Sequence, residues 1–157
     1  MEYPVTPAVR ALREKRIGFA PHLYEYEERG GTRASAAALG VDEHAVVKTL
    51  VMETDARRPL VVLMHGDREV STKRLARALG VKSVRPCDPA AAQRHTGYMV
   101  GGTSPFGTRS RLPVYVERTI FGLPKIYING GKRGFLVEIE PKDLRALEPL
   151  AEVEVAI

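Results

Sequence analysis

Tryptophan is absent from the chain, cysteine occurs once, and aromatic residues make up only 6% of the 157 positions. A lone thiol, Cys87, cannot form an internal disulfide, and no apolar h-region follows Met1-Glu2-Tyr3-Pro4, so a reducing cytoplasm is the expected compartment. No apolar run approaches the ~20 residues needed to cross a bilayer, so no membrane partner is expected. The histidines His22, His44, His65 and His95 and the one cysteine show no ligand spacing such as His-x3-His or Cys-x2-Cys. No metal and no cofactor are implied. Ser104 lies in Gly102-Thr103-Ser104-Pro105-Phe106-Gly107, one residue too long for a nucleophile elbow, and Pro105 would disturb the strand-to-helix turn that motif requires. Gly130-Gly131-Lys132-Arg133 lacks the Gly-x4-Gly-Lys-Ser/Thr spacing of a phosphate loop.

Acidic residues are the scarcer charge, 19 against 24 Lys and Arg, for a net +5. The imbalance is local. Between positions 57 and 85 stand Arg57, Arg58, Arg68, Lys73, Arg74, Arg77, Lys82 and Arg85, opposed only by Asp67 and Glu69. Such a surplus fits nucleic acid better than a membrane surface, although excess charge also serves solubility. The length suits one domain spanning 1–157, large enough to remove roughly 70% of its unfolded surface from water without a covalent staple.

Short helices and strands alternate along the chain. Thr6-Pro7 is an N-cap and first-turn pair opening a helix towards Ile17. Residues 22–27 alternate as a strand, and 32–39 form an alanine-rich helix stopped by Gly40. The runs 46–53 and 60–64 read as two central strands joined by a six-residue loop. Ser71 caps a basic helix ending at Gly80, and Asp88-Pro89 starts another through Arg94. Strands are expected at 114–117, 126–129 and 134–139, with a hairpin at Asn129-Gly130-Gly131, then a helix from Pro141 and a closing strand at 153–157. Several strand pairs are joined by turns too short for crossovers, which predicts an α/β domain with a mixed, largely antiparallel sheet.

Two features stand out from this frame. The stretch 96–107, Thr-Gly-Tyr-Met-Val-Gly-Gly-Thr-Ser-Pro-Phe-Gly, cannot be regular helix or strand. It is either a plain turn or a loop whose main-chain amides cradle a carbonyl or phosphate. Lys48 sits among Val46, Val47, Leu50 and Val51. It is either an outward-facing position or a partly desolvated ammonium that orients a carboxylate, phosphate or ester oxygen.

Taken in order, Thr6-Pro7-Ala8-Val9, His22-Leu23-Tyr24-Glu25, Val47-Lys48-Thr49-Leu50, Ala76-Arg77-Ala78-Leu79-Gly80-Val81, Asp88-Pro89, Thr96-Gly97-Tyr98, Val100-Gly101-Gly102-Thr103-Ser104-Pro105 and Gly130-Gly131-Lys132-Arg133-Gly134 resemble the YbaK and prolyl-tRNA synthetase editing-domain family. The likeness is greatest to the branch that hydrolyses Cys-tRNA mischarged on proline tRNA. It implies a barrel-like mixed sheet with helices around it. It also implies a trans-editing hydrolase of the aminoacyl-tRNA ester, with mischarged tRNA, and prolyl-tRNA synthetase in addition, as partners. The family's Gly-x3-Pro loop falls on Gly101 and Pro105 and its active-site lysine on Lys48, while Tyr24 and Thr49 match pocket positions. Gly102, Ser104 and Pro105 of this loop are expected to bind the substrate, with the amides around Gly101 and Gly102 facing the amino acid or its carbonyl.

Two positions depart from the cysteine-editing pattern. Asn129 stands where that branch tends to carry a small hydroxyl residue, and Leu136 where it often has Asp. Both are expected to line or flank the amino-acid pocket, so cysteine leads as the residue removed, with alanine or another small amino acid as the alternative. The resemblance leaves the nucleophile open among the substrate thiol, the ribose 2′-hydroxyl and water. Lys73, Arg74, Arg77, Arg109, Arg111, Lys132 and Arg133 are candidates for tRNA phosphate contacts, which confer affinity without sequence readout. A non-catalytic tRNA-binding or synthetase-associated module, and an esterase indifferent to RNA, remain the alternatives.

Overall fold

The computed structural model describes residues 2–157. Helix α1, Pro7–Glu14, starts where Thr6 accepts a hydrogen bond from the Val9 amide at 3.1 Å and Pro7 needs no donor. Its buried face, Ala8, Val9 and Leu12, lies on one side of the sheet. Helices α2, Gly31–Leu39, and α3, Thr72–Leu79, lie on the other, and each ends at a glycine with positive φ, Gly40 and Gly80. Helix α4 spans Pro89–Thr96.

The strands are β1 Ala20–Leu23, β2 Val46–Thr54, β3 Pro59–His65, β4 Val84–Pro86, β5 Val114–Glu117, β6 Ile126–Lys132, β7 Phe135–Ile139 and β8 Leu150–Val153. They form one mixed sheet in the order β1-β7-β6-β2-β3-β5-β8, with β4 added to β2. Among the described residues, four of the seven strand pairings are antiparallel and three parallel. Alternation along the strands sorts the buried side chains onto two faces. Val47, Val61, Leu63, Ile128 and Val137 meet α1, whereas Met52, Leu60, Val62 and Met64 meet Leu75 and Ala76 of α3.

Several sequence expectations shift here. The strand expected at 22–27 is β1, which ends at Leu23 because its partner β7 begins at Phe135; only the Tyr24 amide still reaches the Gly134 carbonyl. The β2–β3 connection is tighter than six residues, since Thr54 and Pro59 belong to the strands. The closing strand lies earlier than 153–157. Residues 155–157 instead pair with the segment entering α3: Glu69 and Ile157 exchange both main-chain hydrogen bonds, and Ser71 donates to Val155. The helix from Pro141 is a 3-10 segment, Pro141–Ala146.

Candidate active site

The site is built on β2 because one edge of that strand is only partly covered. β3 pairs along the first edge from Val47 to Glu53. On the second edge β6 pairs with Val46 and Val47, and β4 with Met52, Glu53 and Thr54, leaving 48–51 in a fork without a strand partner on that edge among the described residues. A cavity of about 630 Å³ opens there.

β6 turns away at a bulge between Asn129 and Lys132. Asn129 Oδ1 accepts from the amides of Gly131, at 2.7 Å, and Lys132, at 3.1 Å, while Gly131 adopts φ +98, which glycine tolerates without strain. The same side chain reaches across the cavity mouth, where Nδ2 donates to the Gly101 carbonyl at 3.1 Å.

The 96–107 loop is stapled from beneath. The Tyr98 hydroxyl donates to the Phe106 carbonyl at 2.6 Å, and Ser104 Oγ accepts from the Phe106 amide at 3.1 Å. Ser104 and Pro105 are buried and, with Gly102, stand behind the cavity wall; Val100, Gly101 and Thr103 form that wall. Arg133 Nε donates to the Val100 carbonyl at 2.8 Å while its guanidinium covers the Tyr26 ring at 5.1 Å. The sequence expectation that the amides of both Gly101 and Gly102 face a substrate is corrected here. The Gly102 amide donates to Met99 within the turn at 2.8 Å, and only the Gly101 amide lacks an acceptor among the described residues.

Tyr24, Lys48, Thr49, Gly101, Asn129, Leu136 and Arg133, which come from separate segments, all border this one cavity. The Lys48 side chain is 19% exposed, and its Nζ lies 3.4 Å from Glu69 Oε1, a carboxylate 80% exposed. Thr49 Oγ1 is the one buried side-chain polar atom without a hydrogen-bond partner among the described residues. Burial raises the Tyr24 phenol above its ordinary pKa, so it remains a neutral hydrogen-bonding group near pH 7. Leu136, at 4% exposure, packs with Ala36, Val46 and Tyr127 while touching the cavity. Sequence reasoning missed Tyr26 and Cys87 as wall residues. Tyr26 follows Tyr24 at strand spacing, which was the available signal; burial raises the Cys87 thiol pKa, and nothing in the sequence marks its position.

The family description "Aminoacyl-tRNA editing domain" matches residues 27–147. The chain belongs to this family. A protein of Enterococcus faecalis named "Putative Cys-tRNA(Pro)/Cys-tRNA(Cys) deacylase EbsC" is 28% identical over 143 residues, covering 90% of this chain and 87% of that protein. The proline–tRNA ligase of Moorella thermoacetica is 30% identical over 118 residues, 74% of this chain but only 20% of the ligase. A solved structure described as "a putative trans-editing enzyme for prolyl tRNA synthetase" superposes with a TM-score of 0.84 at 23% identity, over 98% of this chain and 99% of that one, and shows the shared fold.

The basic residues of this editing domain divide into engaged and free. Arg74 donates to the Ala156 carbonyl at 3.2 Å, Arg111 lies 3.9 Å from Glu148, and Arg133 clasps the glycine loop. Arg109 packs its side chain beside Gly97. Lys73, Arg77 and Lys132 are exposed and make no ion pair among the described residues. No helix among the described residues is long and apolar enough to cross a membrane, and no group of three His, Cys, Asp or Glu side chains there could hold a metal ion.

Proposed function

We propose that this editing domain is a trans-acting deacylase that hydrolyses the ester of mischarged aminoacyl-tRNA, with Cys-tRNA(Pro) as the leading substrate and alanine as the alternative amino acid. The observation that carries the reading is the convergence of Tyr24, Lys48, Gly101 and Arg133, from separate segments, on one cavity. The names of the Enterococcus protein and of the structural neighbour point to the same chemistry.

An aminoacyl ester is already activated, so the protein need only fix it, polarise its carbonyl and admit a nucleophile. The free Gly101 amide is the donor for the carbonyl, held in direction by the Asn129 contact to the same residue. Lys48 supplies the positive charge, for the terminal adenosine or for charge developing on oxygen. For a cysteine ester the substrate's thiol attacks the ester carbonyl, the 3′-oxygen leaves as the free hydroxyl by taking the thiol's proton, and water then opens the thiolactone; for alanine water attacks the ester directly and the 3′-oxygen leaves in the same way, with the ribose 2′-hydroxyl beside it. The free cations Lys73 and Arg77 on α3, with Lys132, meet phosphates.

Deacylation of Cys-, Ala-, Ser- and Pro-tRNA tests the reading. Turnover of intact charged tRNA supports it. Binding without turnover replaces it with a tRNA-binding module, and hydrolysis of small esters irrespective of RNA replaces it with an esterase. In the same assay Leu136→Asp should shift the rate ratios by roughly 10–200-fold, the range of one changed pocket contact. It should also lower the melting temperature, because a carboxylate would enter the apolar cluster around Val46 and Tyr127. Asn129→Ser should instead slow every substrate alike, because serine is too short to hold the Gly101 carbonyl. Unchanged ratios for Leu136→Asp would remove that residue from the pocket.

Charge reversal at Lys73 and Arg77 together should weaken tRNA binding and flatten its salt dependence by about two phosphate contacts, since each contact releases counterions. Filter binding across a salt series reads both quantities. An unaltered slope would place the RNA elsewhere on the surface.

A further inference from the structure

The fork in the sheet exposes main chain as well as side chains. Main-chain N–H and C=O groups of one residue point to the same edge of a strand, and successive residues alternate. Three hydrogen bonds fix the phase in β2. The Val46 carbonyl accepts from Gly66, beyond the end of β3, and the Thr54 amide donates to Arg58 in the β2–β3 turn, so even-numbered residues face β3. The Val51 carbonyl accepts from Cys87, beyond the end of β4, so odd-numbered residues face the other edge. Thr49 is therefore an odd residue in the middle of the fork, past the last β6 pairing at Val47 and before the first β4 pairing at Met52. Both its amide and its carbonyl face this gap without a strand partner among the described residues, and Thr49 borders the cavity.

We propose that Thr49 recognises the aminoacyl group through its main chain, as though that group were a strand one residue long. Resting on the deacylase reading above, this assigns the α-ammonium to the Thr49 carbonyl and the ester carbonyl to the Thr49 amide, the double exchange that two facing residues make in a sheet. β6 and β4 occupy the same edge of β2, so the space between them is one strand wide, about 4.8 Å from β2. The donor and acceptor required are those shared by all α-aminoacyl esters. Binding through them is indifferent to the side chain, which leaves amino-acid choice to the cavity walls. It also demands a free α-amino group, so the domain should refuse N-acylated aminoacyl-tRNA. The Thr49 amide adds a second carbonyl donor to that of Gly101.

The test uses the intact protein and the 3′-amino-3′-deoxyadenosine amides of cysteine and alanine, which cannot be hydrolysed at the ester position. Each is compared by calorimetry with its N-acetyl form and with the form carrying hydroxyl in place of the α-amino group. Both changes should weaken binding at least tenfold. Thr49→Val, which removes only the hydroxyl, and Thr49→Pro, which also removes an amide that no strand uses, should differ by a further tenfold in affinity for the free-amino amides. Proline is tolerated where a strand's N–H faces away from its neighbour. Binding of the hydroxyl and N-acetyl forms within threefold of the amino form overturns the proposal, as does failure of both free-amino amides to bind. The wild-type series decides the question without any variant. Discriminating binding with no turnover of any charged tRNA would support this recognition and sink the deacylase reading; turnover without discrimination would do the reverse.

Discussion

Lys48→Ala should lower the single-turnover deacylation rate by about 10²–10³-fold while leaving the fold intact. That is the usual loss when an electrostatic contact made at the transition state is removed. The stability change should be small, because among the described residues Lys48 pairs only with Glu69, a carboxylate open to water, and such pairs contribute about 0–1 kcal/mol. Truncation opens space onto an existing cavity rather than a sealed core. Lys48→Arg should recover little, because a planar guanidinium cannot take the place of a compact ammonium between β2 and Glu69. Saturating enzyme isolates the chemical step from tRNA binding. A Lys48→Ala protein with native circular dichroism and a rate within about threefold of wild type, far below the expected loss, would make Lys48 a structural residue.

Gly101→Ala should cost about 10²-fold in the same measurement. The backbone there has φ +89, and a Cβ would stand 2.6 Å from Tyr26 Oη and 3.1 Å from two ring carbons. The ring cannot retreat freely, since Arg133 lies over it while bonding to Val100. The loop must therefore move, and a displacement approaching 1 Å at a group that positions a reacting ester is worth about that factor. Combining Gly101→Ala with Tyr26→Ala removes the collision but keeps the unfavourable φ, so the double variant should recover only part of the rate. Full activity in Gly101→Ala would take this loop out of the chemistry.

Most helices were legible in the sequence because their ends carry chemical marks. Thr6, Ser71 and Asp88 cap α1, α3 and α4 through side-chain oxygens, and Gly40, Gly80 and Gly97 end α2, α3 and α4 in left-handed conformations. β4 was not legible: three residues, Val84-Arg85-Pro86, show no periodicity, and they form a strand only because β2 offers them an edge. The fork followed it out of reach, since a gap in pairing is a property of three strands at once. Lys48 was conspicuous as a charge in an apolar run. Thr49 carried no comparable signal, because threonine is at home in any strand. Ser104 and Pro105 drew attention as part of a distinctive loop, but they hold it up from the core side, and composition cannot tell a loop's wall from its foundation.

Asn129 has a consequence for how sequences of this kind can diverge. Its amide oxygen organises the 129–132 turn and its nitrogen holds Gly101, twenty-eight positions earlier. Two stretches far apart in the gene thus share one side chain as a common hinge pin. A change in either stretch is received by the other, so substitutions at 101, 129 and 131 should be tolerated in company and penalised singly. Drift through this part of the molecule would then proceed by coordinated steps.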